Sequence, residues 1–212
     1  MRVTDVEQQK NNNSKVSVFI DGEYAFSLDE VDALVMGIKP GTEVDRERLG
    51  EMLFASRFAS AKAAALNLIA RKSVCRKMVE DLLKEKKYDS DITDAVCTEL
   101  ESLGYIDDYS YASLFVEYAT EKLWGERKIR YELGAKGIER SIIEEVIENV
   151  GVASCDTLAQ VIMDKYRGLD LEDIRIKHRI QRFMLSRGFD FSKINEAINI
   201  CIENTKDDNA YE

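Results

Sequence analysis

The chain is 212 residues long, 45% apolar and 33% charged, and its 30 Lys and Arg against 40 Asp and Glu give a net charge of −10. That composition supports a folded core and argues against a protein that coats nucleic acid through bulk attraction. No stretch approaches the roughly 18 consecutive apolar residues of a membrane span, and Met1 to Asn13 lacks the apolar region of a signal peptide, so the expected place is the cytoplasm.

Lys15 to Leu28 (KVSVFIDGEYAFSL) is the only segment rich in β-branched and aromatic residues around an Asp-Gly turn signal, and it predicts a β-hairpin. A two-residue loop, Asp21-Gly22, would set Val16, Val18 and Ile20 on the face opposite Tyr24, Phe26 and Leu28. A three-residue loop through Glu23 would put all six on one face, and this loop is expected, because a lone hairpin must bury one face. Pro40 and Gly41 then break the path before Asp45.

From Asp45 onward the signals are helical. Asp45 is the expected N-cap of a long helix reaching about Ala70, Ser73 can cap the next, and Asp89 or Ser90 opens a third that holds Ile92, Val96 and Leu100 and closes at Gly104. The same three-helix phrase recurs. Aligned on an apolar residue after a basic turn, Tyr88, Ile138 and Phe189 are anchors; nine positions earlier stand Val79, Ile129 and Ile180, and five earlier Leu83, Leu133 and Met184. Ile92 and Ile142 follow the first two anchors by four, whereas bringing Ile194 into register requires one extra residue in the third copy. The expected fold is mainly α: three tandem three-helix repeats forming an elongated curved array, with a small N-terminal β-hairpin region. The division is 1–44 hairpin region, 45–106, 107–153 and 154–204 repeats, and 205–212 a disordered tail.

Charge follows the repeat. Arg57 to Tyr88 holds nine basic residues against three acidic, and Asp89 to Glu121 nine acidic and no basic. The later copies alternate the same way. In a solenoid the basic second helices would form a ladder: Arg71, Lys72, Arg76, Lys77 and Lys84, then Arg127, Lys128 and Arg130, then Lys177, Arg179 and Arg182, with Lys136 a further candidate contact. Such a ladder suits phosphate or an acidic protein groove; equally, these cations can solvate an outer face and pair with neighbouring acidic helices. Aromatic residues interleave with the charges. Core packing is expected for most of them, with Phe115 and Tyr118 flanking a face with Ala112 and Ala119, while Trp124, beside Gly125 in a loop, is a candidate contact.

Little points to catalysis. Asp107 and Asp108 could hold Mg²⁺ in a nuclease, but N-capping of a following helix explains them better. The four cysteines form no CxxC pair and fit buried reduced thiols, His178 is the only histidine, and no phosphate-loop, dinucleotide or GxSxG motif occurs. No enzyme activity, metal or cofactor is expected.

Gly104 to Ala112 (GYIDDYSYA), with Trp124 to Ile138 (WGERKIRYELGAKGI), resembles the RecX family of recombination regulators. The family's step "I-x-x-E-L-x-x-K-G-aliphatic" is met by Ile129, Glu132, Leu133, Lys136, Gly137 and Ile138. Looser copies at Lys86 to Ile92 and Arg187 to Ile194 are similar to the family's outer repeats, and Phe19 to Phe26 resembles the extra N-terminal region of its longer members. Coverage runs from about Lys15 to about Glu203. Lys87 departs from the pattern by replacing the glycine of the first copy. The resemblance implies an all-helical, curved protein that binds the RecA recombinase, lying along the groove of its filament on single-stranded DNA, and mostly inhibits its ATPase and strand exchange. A monomer is expected, with single-stranded DNA a further contact. The expected setting is DNA repair and the SOS response. The alternative is a helical-repeat DNA-binding or adaptor protein with no RecA partner.

Overall fold

A computed structural model describes residues 1–10 and 12–210 of the chain. Three strands, β1 (Val3–Gln9), β2 (Asn12–Ile20) and β3 (Glu23–Asp29), form an antiparallel sheet in the order β1-β2-β3. The expected hairpin is therefore part of a three-stranded meander. β2 and β3 are joined by the two-residue turn Asp21-Gly22, not the three-residue loop expected; Asp21 (φ 50) and Gly22 (φ 89) both take the positive φ that a tight turn needs. The burial argument behind the longer loop is met another way. Val18 pairs with Phe26 but Phe19 with Tyr24, so Ala25 is an extra residue, a β-bulge that flips the register. Phe26 and Leu28 thereby join Val16, Val18 and Ile20 on the buried face, and Tyr24 alone is left exposed. Ala33 of the short helix α1 (Glu30–Val35), Ile38, Val44 and Met52 cover that face.

Among the described residues the next nine helices fall into triples: α2 (Arg46–Ile69), α3 (Arg76–Glu85), α4 (Ser90–Ser102); α5 (Asp108–Glu121), α6 (Glu126–Ala135), α7 (Arg140–Val150); α8 (Cys155–Lys165), α9 (Ile174–Ser186), α10 (Phe191–Ala210). Asp45 caps α2, its side chain accepting from the Arg48 N–H at 2.8 Å. α2 packs against β3 and also against α3 and α4, where buried Ala61 and Ala65 let α4 approach closely. Ser73 does not cap α3. Residues 73–75 stay outside the helix, where Val74 and Cys75 are buried, and Cys75 takes the N-cap position with its side chain making no capping hydrogen bond.

Each second helix ends in the same way. The N–H groups of Tyr88, Ile138 and Phe189 reach back to the carbonyls of Leu83, Leu133 and Met184, at 3.0, 3.2 and 3.2 Å. The preceding residues Lys87, Gly137 and Gly188 have φ of 63, 78 and 88. This is a Schellman end, which requires a left-handed residue followed by an apolar one that folds back on the helix. It explains both the anchor residues and the glycine before them.

The third copy needs no extra residue. α4, α7 and α10 all begin two positions after their anchors, at Ser90, Arg140 and Phe191. Buried residues recur at one register in all three, five, eight and nine positions after the anchor: Thr93, Val96 and Cys97, then Ile143, Val146 and Ile147, then Ile194, Ala197 and Ile198. Of the two residues on which the expected shift rested, Ile92 is buried as well, but Ile142 lies at the edge of the core, half-buried. α10 continues through Ala210, so residues 205–210, expected as a tail, are helical: no Gly or Pro interrupts them, and the Thr205 hydroxyl donates to the Cys201 carbonyl at 2.7 Å. Tyr211 and Glu212 lie outside the described residues. The chain divides into two compact units, Met1–Asp107 and Asp108–Glu212.

Candidate interaction surface

The thirteen candidate residues separate by what their side chains touch. Arg76 is committed to its own triple: it donates to Glu80 at 2.7 Å, to Glu101 at 2.6 Å and to Asp94 at 3.5 Å. Hydrogen bonding to Glu101, with that to Glu80, raises its pKa. Arg130 is held in the same manner. It donates to both oxygens of Glu144 on α7 at 2.9–3.1 Å and to Glu126, one turn earlier, at 2.9 Å. Those bonds, led by the one to Glu144, raise the Arg130 pKa, and the same bond holds the Glu144 carboxyl below its ordinary range. In the third triple the equivalent site is neutral, with Gln181 donating to Asn195 at 2.8 Å. Positions 14 apart thus tie the second helix to the third, as an ion pair in one copy and an amide pair in the other.

Lys128 and Lys136 lie on aromatic faces. Lys128 Nζ stands 3.9 Å from the centre of the Trp124 ring, Trp124 meets Phe115 edge-on at 6.0 Å, and Lys136 Nζ is 5.9 Å from Phe115. A cation over a ring face is attracted to its negative charge distribution. Trp124 is half-buried in this stack, between α5 and α6, so the loop position expected for it is correct while much of its surface is taken.

The rest face outward. Arg71 and Lys72 lie between α2 and α3, Lys77 and Lys84 on α3, Arg127 on α6, and Arg179 and Arg182 on α9, all exposed; Lys177 is half-buried. Arg179 lies 5.8 Å from the Tyr166 ring. Arg71, Lys72, Lys84, Arg127 and Lys177 make no ion pair among the described residues. Tyr118 and Tyr131 are 53% and 74% exposed, so Tyr118 does not join the core expected for it. α5 is narrow on its buried side, with only Ala112, Val116 and Ala119 inward, and Tyr118 falls off that stripe.

One contact escaped the sequence reading. The connection entering α6 meets the end of α9: the Gly125 N–H donates to the Arg187 carbonyl at 2.8 Å, the Arg127 N–H to the Gly188 carbonyl at 3.2 Å, and Arg187 Nη1 to the Lys122 carbonyl at 2.5 Å. Two glycines allow it. A Cβ on Gly125 would stand 2.3 Å from the Gly188 carbonyl carbon, and one on Gly188 would stand 2.6 Å from the Lys128 nitrogen. Asp107 and Asp108 stand at the start of α5, the place of a cap. Among the described residues no single helix is long and apolar enough to cross a membrane.

Comparison with known proteins bears on the same regions. Residues 1–45 match the model of the regulatory protein RecX N-terminal domain, and residues 107–147 that of the RecX second three-helix domain. The regulatory protein RecX of Clostridium botulinum (strain Eklund 17B / Type B) is 31% identical over 205 residues, covering 95% of this chain and 96% of that protein. The chain belongs to the RecX family. A further RecX relative, from Clostridium acetobutylicum, is 29% identical over 202 residues. Among solved structures, a crystal structure of regulatory protein RecX superposes with a TM-score of 0.70 at 23% identity, covering 92% of this chain and 97% of that one. The crystal structure of RecX from Lactobacillus salivarius superposes at 0.60 with 25% identity over 69% of this chain. The family resemblance carried by GYIDDYSYA and the KG step, and the mainly helical fold with a small N-terminal sheet, both stand. The region matched as a second three-helix domain contains α5, α6 and most of α7.

Proposed function

We propose that this RecX-family protein regulates homologous recombination by binding a RecA-type recombinase filament, and that it limits the filament's ATPase and strand exchange without a catalytic step of its own. The observation that carries the reading is membership of a family whose relatives are named regulatory proteins, over nearly the whole chain. Two further features support it. The anchor residues Tyr88, Ile138 and Phe189 recur at intervals of 50 and 51 positions, and such repeated triples offer repeated contacts, through which modest affinities multiply against a repeating partner. Their second helices carry exposed cations, Lys84, Arg127 and Arg182 among them, suited to phosphate or acidic protein surface. Segments 45–106, 107–153 and 154–204 would be the binding units, and the cytoplasm the site of action.

The ion pairs sharpen the test. Arg76 and Arg130 are bound to their own acids, so reversing them would disturb packing; Lys84→Glu with Arg127→Glu isolates recognition. Wild-type chain added below one equivalent should slow RecA ATPase and strand exchange, and the double variant should do so only at about tenfold higher concentration, with a weaker salt dependence. DNA binding with no effect on either activity would overturn the reading in favour of a DNA-binding protein without a recombinase partner.

A further inference from the structure

α1 is six residues long and turns Ala33 onto the sheet, leaving Val31, Leu34 and Val35 on its other side at 70%, 75% and 82% exposure. Three aliphatic side chains at helical spacing, almost bare, form a contiguous apolar patch of the kind that marks a binding surface. The patch continues into a groove of about 560 Å³ between α1 and α2, where Val35 and Met36 face Ala55, Phe58 and Leu66. Phe58 stacks on Phe54 at 6.2 Å, and Phe54 is itself 45% exposed, which extends the apolar floor.

Charge selects the occupant. The groove lining carries three carboxylates, Asp29, Asp32 and Glu99, against one cation, Lys62. Lys62 Nζ binds Glu99 Oε1 at 3.0 Å, while Glu99 Oε2 is buried with no hydrogen-bond partner among the described residues. Apolar floor and acidic rim together fit a cationic amphipathic helix whose aliphatic side chains fill the groove and whose Lys or Arg meets the carboxylates of Asp29, Asp32 and Glu99.

We propose that the α1–α2 groove docks a basic amphipathic helix of a partner protein. The proposal stands apart from the filament reading, because its test contains neither recombinase nor DNA. A labelled Leu/Lys helix of about 18 residues, a Ser/Lys peptide of equal charge and a Leu/Glu helix are titrated into the full chain by fluorescence anisotropy. The Leu/Lys helix should saturate at least about tenfold more tightly than either control, and both Val35→Ser and Glu99→Gln should weaken it severalfold. Val35 is too exposed for its replacement to unfold the protein, and Glu99→Gln keeps the shape of the side chain. Equal binding of the Ser/Lys peptide would reduce the effect to bulk attraction by a chain of net charge −10 and overturn the proposal. So would equal binding of the Leu/Glu helix, affinity indifferent to both substitutions, or a dimer in sedimentation that Val35→Ser dissolves, since a second copy would then be what covers the face.

Discussion

Lys87 is where the sequence departs from the family pattern and the backbone does not. It keeps the left-handed conformation of its counterparts Gly137 and Gly188, with φ 63, because the Schellman end demands it. A side chain in that region costs about 1 kcal/mol, so Lys87→Gly should raise stability by roughly that amount, read as a higher urea midpoint at unchanged slope. Glu144 gives a pH-dependent counterpart. Its folded pKa lies below the unfolded one because Arg130 hydrogen-bonds the ionised form, so its stabilising contribution is present above the ordinary carboxylate range and is lost as pH falls through the depressed value. In Arg130→Met the Glu144 titration, followed by NMR, should move up toward the ordinary range; an unmoved titration would show that the ion pair is not formed in solution. Cysteine burial makes a third prediction. Desolvation pushes the Cys97 thiol up to about 11 and also raises those of Cys155 and Cys201, so access decides between them: Cys75, Cys97 and Cys201 are buried, whereas Cys155 at the start of α8 is half-buried. A thiol reagent at neutral pH should therefore modify Cys155 first.

At the scale of elements, what could be read in advance was what local rules determine. The apolar anchors, the αL glycines and the Asp45 cap are local, and the helices begin and end where those signals put them. β1 was missed because VTDVEQQ pairs at the sheet edge with only Val3 and Val6 apolar, too weak an alternation to announce a strand. α1 was missed because six residues carry no helical period. The bulge at Ala25 and the register of α10 depend on which face meets a core, and only tertiary packing states that. The cations were legible as a set, yet not their sorting, because the bonds that remove Arg76 and Arg130 from the surface come from α4 and α7. The contact of the α6 entry with the end of α9 is the least local of all. It leaves no room for a side chain, so Gly125→Ala should cost about 3 kcal/mol or more, comparable to breaking a buried packing contact, and should lower the melting temperature although Gly125 carries no side chain to lose. A melting temperature unchanged from wild type would mean that the two segments do not meet this closely.

At the scale of the molecule, that contact decides how much of the chain folds as a piece. The third triple has a core of its own, built on Leu158, Ile162, Ile180, Met184, Phe189 and Ile194. The middle triple buries Val116, Ile129, Leu133, Ile143 and Val146, but its α6 begins with two backbone N–H groups whose acceptors are the Arg187 and Gly188 carbonyls. Its apolar interior is small, and a segment of about 45 residues seldom buries enough surface to offset chain entropy without a partner or a crosslink. The second and third triples together are long enough to do so and supply each other's missing groups. A fragment spanning Asp108 to Glu212 should therefore melt cooperatively by circular dichroism, while a fragment ending at Ala153 should show no cooperative transition. A cooperative melt of the shorter fragment would make the middle triple self-sufficient and reduce the glycine contact to a seam between independent modules. A longer fragment without a transition would place the missing stabilisation in the first 107 residues instead.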